Sequence, residues 1–444
     1  MVGANSRKPT VAVIGGGYAG LAAAVTLAEA GVKCKVFESG KTLGGRARRL
    51  QYRDEVIDNG QHILAGAYTE LLRLMALVGV PDSALRRIPL RLSMPPDFLL
   101  NAPQTRLLPG PLYLAWTLLT AQGLSFADKL AAIRFMQALK RRKFQVDASM
   151  SVAALLTEHK QPQNLIDHLW QPLTISALNT PLVRASAQVF ANVLRDSLGS
   201  CRNASDLLLP RVDLTALFPD PAASWLAHRD SEVSTGVRIT RIHAAADRSK
   251  VFFDGGSEDF DGLILAVGPH QLEGLMQGIA TPTLGYEPIV TVYFKFDRPV
   301  KMREPMLGQM RGLAHWFFDR DALNLPQSPE NGRAGLIAAV ISASGAHDLL
   351  PQETLAARVL AELANHVPDL PVPVWSKVIT EKFATFACTP LADRPATQTC
   401  HPRVFLAGDY IAGDYPATLE GAVRSGIAAA MACRVCLQPP RPQY

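Results

Sequence analysis

The stretch Val11-Ala12-Val13-Ile14-Gly15-Gly16-Gly17-Tyr18-Ala19-Gly20-Leu21 decides the fold. It opens with apolar, mostly β-branched residues, as in a strand buried on both faces. Glycines then follow at G-x-G-x-x-G spacing. Gly15 permits a tight turn, Gly17 lets the backbone approach a pyrophosphate, and Gly20 lets a helix pack close to the sheet. The pattern predicts a helix from about Tyr18 to Glu29, stopped at Gly31. Tyr18 and Ala19 stand at its start, where free N–H groups and a partial positive charge face phosphate. A second strand is expected at 33–37. It ends in Glu38 and Ser39, and Glu38 stands 18 residues beyond Gly20. A carboxylate there accepts from ribose hydroxyls and argues against NADP in this pocket, because it would repel the 2′-phosphate.

Working outward, Leu43-Gly44-Gly45-Arg46 offers a second close backbone approach and a planar guanidinium fork for phosphate oxygens. Ile57-Asp58-Asn59-Gly60-Gln61-His62 follows, with polar side chains around a glycine. At the other end of the chain stand Phe405-Leu406-Ala407-Gly408-Asp409 and Thr418-Leu419-Glu420-Gly421. The latter opens a helix expected to reach about Cys433.

These motifs resemble the amine oxidase and phytoene desaturase superfamily of FAD enzymes. A narrower resemblance is to the squalene-associated desaturases, the hydroxysqualene dehydroxylases of bacterial hopanoid synthesis. It rests on Asp58-Asn59-Gly60-Gln61-His62-Ile63-Leu64, Gly66-Ala67-Tyr68, Gly408-Asp409-Tyr410 and Tyr415-Pro416-Ala417-Thr418-Leu419-Glu420-Gly421-Ala422. The resemblance implies noncovalent FAD. Gly15, Gly17, Gly20, Glu38, Gly44, Gly45 and Arg46 would hold its ADP half, with a backbone group of Val237 at the adenine. Asp409 would bond the ribityl chain. Thr418 and Leu419 would face the flavin N1 edge, with Gly60, Gln61 and His62 near the ring. It also implies a long-chain isoprenoid substrate, an external reductant such as NADPH, and association with squalene-pathway synthases. His62 is the first choice for a general acid, because imidazole titrates near neutrality. Asp58 is the second, and an inert structural histidine is the alternative. Two further readings are an oxidative carotenoid desaturase and a non-enzymatic prenyl carrier of the same fold.

The resemblance implies an α/β fold with a Rossmann-like, discontinuous FAD-binding domain and an inserted, helix-rich α+β substrate domain. The first takes residues 1–75, 233–275 and 403–437. The second, facing substrate and membrane, takes 76–232 and 276–402. Residues 76–232 read as mostly helical, with periodic segments at 125–143 and 149–160. Strands are expected at 286–298 and 335–344, and a helix at 351–366.

Of 444 residues, 48% are hydrophobic and 19% charged, which permits a large core. The net charge of +6 comes without zinc-finger spacing or an RNA-binding signature, so nucleic acid is not an expected partner. The 6 cysteines show no metal-site or disulfide pattern. No metal is expected, and the thiols fit a reducing cytoplasm. No leader sequence is visible, and the apolar stretch 107–127 is broken by Pro and Gly. The 103–146 window sets Arg106, Lys129, Arg134, Lys140, Arg141, Arg142 and Lys143 against Asp128 alone, beside Tyr113 and Trp116. That combination suits peripheral binding to an anionic inner-membrane surface.

Overall fold

The computed structural model describes residues 9–103, 110–199, 202–245, 247–279, 281–323 and 335–438. Arg106 lies outside them. Five parallel strands form one sheet, in spatial order Glu232–Thr235, Lys33–Glu38, Thr10–Ile14, Gly262–Leu265, Val404–Leu406. Strands from the beginning, middle and end of the chain thus share one layer. Thr10–Ile14 is the central strand, and its inner residues are buried on both faces. A three-stranded antiparallel meander, Ile239–Ala244, Ser249–Phe253 and Gly256–Phe260, accompanies this sheet.

The fingerprint helix runs from Tyr18 to Glu29, as the spacing predicts, and packs along the C-terminal helix Leu419–Leu437. Small residues set that contact. A Cβ on Gly426 would lie 2.1 Å from the Ala19 carbonyl oxygen; one on Gly20 would lie 2.0 Å from the Gly15 carbonyl oxygen, where the helix approaches the first strand. The C-terminal helix outruns the expected end at Cys433 by four residues, and Leu437 in its last turn still packs against the core.

The second layer is a five-stranded antiparallel sheet. Its order is Met306–Gly308, Trp316–Asp319, Leu336–Ser342, Tyr286–Lys295, Trp375–Phe386. Alternation along each strand gives it two faces. Val290, Val292, Phe294, Ile337, Ala339 and Ile341 pack beneath the helix Gln352–Ala364 through Leu355, Val359 and Leu363. Ile289, Trp316, Phe318 and Val340 face the other way, into a cavity.

The helices expected at 125–143 and 149–160 appear as Phe126–Arg141 and Val152–Glu158. Residues 76–232 are less uniformly helical than expected. They include the short strands Leu85–Ile88, Arg91–Met94, Phe98–Asn101 and Leu207–Pro210. Strands of four residues are too short to show a clear period in sequence. Among the described residues, no helix is long and apolar enough to cross a membrane.

Gly426→Val should force the two long helices apart and destabilise the protein by about 2–4 kcal/mol. Denaturant unfolding measures this. Unchanged stability would mean that the helices do not approach as closely as described.

Candidate active site

A cavity of about 940 Å³ runs from the end of the parallel sheet to the inner face of the antiparallel one. At its floor two glycine-rich turns meet. The Gly44 N–H donates to the Gly16 carbonyl at 2.9 Å, and Gly17 bridges Gly44 in parallel fashion. A Cβ on Gly17 would meet only Gly45 Cα at 3.8 Å and backbone nitrogen at 4.0 Å. The space beside it is therefore open. Gly17 is the N-cap of the fingerprint helix, with no side-chain cap and no acidic residue in the first turn. Its free N–H groups and positive end suit an anion. Gly15, Tyr18, Ala19 and Gly45 line the same floor. Gly20 does not, since it is spent on helix-to-strand contact.

Glu38 and Ser39 line one end. The Glu38 carboxylate accepts from Gly16 N at 2.8 Å and Gly40 N at 2.7 Å. It is pinned in place, and a carboxylate has about four acceptor positions, so some remain for a ligand. Val237 also lines this end, and its N–H donates to the Glu38 carbonyl at 2.9 Å. The residues fit a dinucleotide: a diphosphate cradle, a ribose carboxylate beside it, and room beyond.

Arg46 and Asp409 sit on the opposite wall as an ion pair. The Arg46 guanidinium also donates to the Phe383 and Ala384 carbonyls at 2.9 and 3.0 Å. Burial pulls its pKa down, but the Asp409 charge outweighs this and holds it above the ordinary value. Arg46 therefore ties the phosphate cradle to the strand Trp375–Phe386, a role its sequence context does not reveal. Arg394 braces the Asp409 loop from behind. It donates to the carbonyls of Asp409 at 3.1 Å, Gly413 at 2.9 Å and Tyr415 at 3.0 Å.

The far end holds Gly60, Gln61, His62, Tyr68, Gly408, Thr418 and Leu419. Thr418 caps the C-terminal helix, accepting from Gly421 N at 3.1 Å. That helix N-terminus adjoins the cavity and favours negative charge there. The fully buried Glu420 carboxylate accepts from Glu70 N at 3.0 Å and Leu71 N at 2.9 Å, locking the helix start in place.

His62 Nδ1 lies 2.8 Å from the Gly60 carbonyl oxygen. A carbonyl only accepts, so Nδ1 carries the hydrogen and Nε2 is left with a lone pair. Burial lowers the His62 pKa, the Gly60 bond opposes this, and the Arg46 charge lowers it further. At neutral pH His62 is an acceptor, and acting as an acid requires a second proton on Nε2.

The Asp58 side chain does not line the cavity. It is buried, accepts from Leu214 N at 2.8 Å and lies 3.9 Å from the Arg320 guanidinium. Burial pushes its pKa up to about 7, against the pull of Arg320 and the Leu214 bond. Its place is behind the site.

The apolar wall was not legible in sequence. Trp316, Phe318, Val340 and Ile289 come from three strands of the antiparallel sheet, opposite Ser176 and Ala177. Trp316 Nε1 donates to Ser176 Oγ at 3.0 Å, which satisfies its polar edge. Period-two alternation at 316 and 318 is the only local signal, and two residues are too few to read it.

The family described as flavin containing amine oxidoreductase matches residues 18–434. The chain belongs to that family and is a flavin-dependent oxidoreductase, which sets aside the non-enzymatic carrier. It is 30% identical over 439 residues to hydroxysqualene dehydroxylase of Rhodopseudomonas palustris, covering 95% of this chain and 97% of that protein. It is 28% identical over 433 residues to hydroxysqualene dehydroxylase of Sinorhizobium fredii, covering 95% and 97%. It is 24% identical over 459 residues to a 15-cis-phytoene desaturase of an Oncidium hybrid, covering 95% and 77%. The fold is shared with cyclohexylamine oxidase of Brevibacterium oxydans, at TM-score 0.66 and 17% identity over 98% of this chain and 100% of that one.

Asp58 gives a stability prediction. Its folded pKa of about 7 exceeds the ordinary 3.8, so the folded state binds a proton that the unfolded state releases between those values. Stability from this group is therefore present at low pH and lost as pH rises through the window. In Asp58→Asn, the fall in stability between about pH 4 and about pH 7 should shrink by about 2–4 kcal/mol. Urea unfolding at the two pH values checks this. An equal fall in parent and variant would contradict it.

Proposed function

We propose that this protein is an FAD-dependent dehydroxylase that replaces the hydroxyl of hydroxysqualene with hydrogen, giving squalene for hopanoid synthesis. The observation that carries the reading is the joining of three features in one cavity: a dinucleotide cradle, a small polar cluster at His62, and an apolar wall. FAD would lie with its diphosphate on Gly17 and Gly45, its ribose at Glu38 and its ribityl chain near Asp409. The flavin end would meet the helix that begins at Thr418. Relatives named hydroxysqualene dehydroxylase support the substrate.

When bound and reduced, the flavin supplies a hydride. The allylic C–O bond breaks, the hydroxyl leaves as water with one added proton, and a C–H bond forms. The electrons come from an external reductant such as NADPH. The apolar wall keeps water from the carbon that loses its oxygen. Once protonated on Nε2, His62 delivers that proton to the leaving oxygen.

The second reading is a carotenoid desaturase with the opposite electron flow, favoured by the phytoene desaturase relative. Product analysis separates the two. Anaerobic reduced holoenzyme should convert hydroxysqualene to squalene, and oxidised holoenzyme should leave phytoene unchanged. The reverse pattern would replace the dehydroxylase reading by the desaturase one.

His62→Ala should retain flavin and lose about 100- to 10,000-fold in the rate of flavin reoxidation by hydroxysqualene. The parent rate should fall as pH rises through a value below the ordinary 6.5, because burial has lowered the imidazole pKa. A variant that keeps the parent rate would leave His62 a structural residue.

We also propose peripheral docking to anionic lipid, from which a long-chain isoprenoid alcohol would enter. Leu112, Trp116 and Leu119 stand exposed at i, i+4 and i+7 on the helix Gly110–Leu119, with Tyr113 buried behind them. Phe126, 72% exposed, adjoins this stripe in sequence. Arg134, Lys140, Arg141 and Lys143 are exposed on the next helix and just beyond it. The protein should float with anionic liposomes, less so at high salt. Trp116→Ser with Leu119→Ser should reduce flotation several-fold. Flotation equal to the parent would remove this face from the account.

A further inference from the structure

The strand Trp316–Asp319 points Trp316 and Phe318 into the cavity, and Arg320 follows it directly as the first residue of the short helix Arg320–Leu323. Arg320 is 6% exposed. It lies behind the cavity wall, and its Nη1 donates to Gln61 Oε1 at 3.0 Å. A guanidinium has no acceptor, so the atom of the Gln61 amide that faces it must be the oxygen. The amide nitrogen is then turned the other way. One of its two N–H groups donates to the His62 carbonyl at 3.1 Å, which leaves the other. The Gln61 backbone is anchored as well, with its N–H 3.4 Å from Thr291 Oγ1. The Asp58 carboxyl lies 3.9 Å from Arg320.

His62, the next residue, is polarised in the opposite sense. Its Nδ1–H is committed to the Gly60 carbonyl, so Nε2 is an acceptor. Gln61 and His62 both line the cavity. The site therefore presents one N–H donor and one nitrogen acceptor from adjacent residues. An alcohol is the simplest group that satisfies both at a single atom: its oxygen accepts, and its hydrogen donates. A hydrocarbon satisfies neither.

We infer that Gln61 and His62 form a donor–acceptor pair for the substrate hydroxyl, and that Arg320 is the positioning residue that fixes the polarity of the pair. The inference rests on the dehydroxylase reading and adds to it the basis for choosing an alcohol over an alkene of equal length. Without Arg320 the Gln61 amide is free to turn over, and the oxygen it then presents repels the hydroxyl oxygen. A buried polar pair also rejects a ligand that leaves it unpaired, which is how a hydrogen-bonding site excludes an analogue lacking the group.

The test is equilibrium binding to oxidised holoenzyme, where no turnover occurs. Hydroxysqualene and squalene are each titrated, and the perturbation of the visible flavin spectrum is followed. The parent should prefer the alcohol. Gln61→Met should weaken hydroxysqualene binding about 10- to 100-fold and leave squalene binding unchanged. Arg320→Met should lower the same alcohol-to-hydrocarbon ratio, and Arg320→Lys, which keeps a donor and the charge, should restore part of it. Flavin affinity, measured in parallel on the apoproteins, should stay at the parent value in Gln61→Met. An unmoved ratio in Gln61→Met and Arg320→Met overturns the inference. So does a loss of flavin affinity by the same factor, which would place the pair against the cofactor. A parent that fails to bind hydroxysqualene sinks the dehydroxylase reading itself, whereas a parent that turns it over normally, with an unmoved ratio in the variants, sinks only the pair.

Discussion

The contact on which the rest depends is backbone to backbone: the Gly44 N–H on the Gly16 carbonyl, at 2.9 Å. It brings together two turns that carry no side chains where they face each other. One turn starts the fingerprint helix, and the other leads to Arg46. Because neither has a Cβ in the space between, the helix N-terminus stays open to an anion while the turns remain hydrogen-bonded. Everything downstream is held relative to this floor. Arg46 reaches from it to Asp409 and to the strand Trp375–Phe386. Asn59 donates to Glu381 at 3.0 Å on that same strand. Lys295 of the antiparallel sheet pairs at 2.7 Å with Glu55, which begins the short strand Glu55–Asp58.

The second constraint is the two-faced antiparallel sheet. One face is an ordinary core under a helix. The other is apolar and forms the cavity wall, facing Ser176 and Ala177 of the helix Gln171–Leu178. A wall of this kind suits a greasy substrate and excludes water. Several of its polar groups are held in one orientation by a neighbour: Gln61 by Arg320, His62 by Gly60, Trp316 by Ser176. Fixed dipoles in a dry site act more strongly than mobile ones in water.

The nucleotide half was legible in sequence because its chemistry is local. A glycine spacing, a strand period and a terminal carboxylate lie within 30 residues, and Glu38, Gly45, Gly408 and Thr418 all reach the cavity. The substrate half was not. Its wall is assembled from Ile289, Trp316 and Val340, which are neighbours only once three strands pair. The pairing of Arg320 with Gln61 spans 259 positions and leaves no local trace. Asp58 shows the opposite error. Its place in a glycine-rich polar motif points to chemistry, yet the peptide turns it inward, where it holds Leu214 and Arg320. The fingerprint marks the segment as important without saying which side chain faces the ligand.

The most direct test of the glycine floor is a comparison of FAD with FMN on apoprotein, in the parent and in Gly17→Val. The backbone of Gly17 is extended, with φ −78°, and its nearest neighbour would be ordinary contact, so the fold accepts a side chain there. Only a ligand in the cradle would meet it. FMN lacks the diphosphate bridge and the adenosine. The account predicts that the parent binds FAD far more tightly than FMN, and that Gly17→Val collapses this preference while the protein remains folded. Equal affinity of the parent for the two flavins, or a preference for FAD undiminished in Gly17→Val, would contradict it.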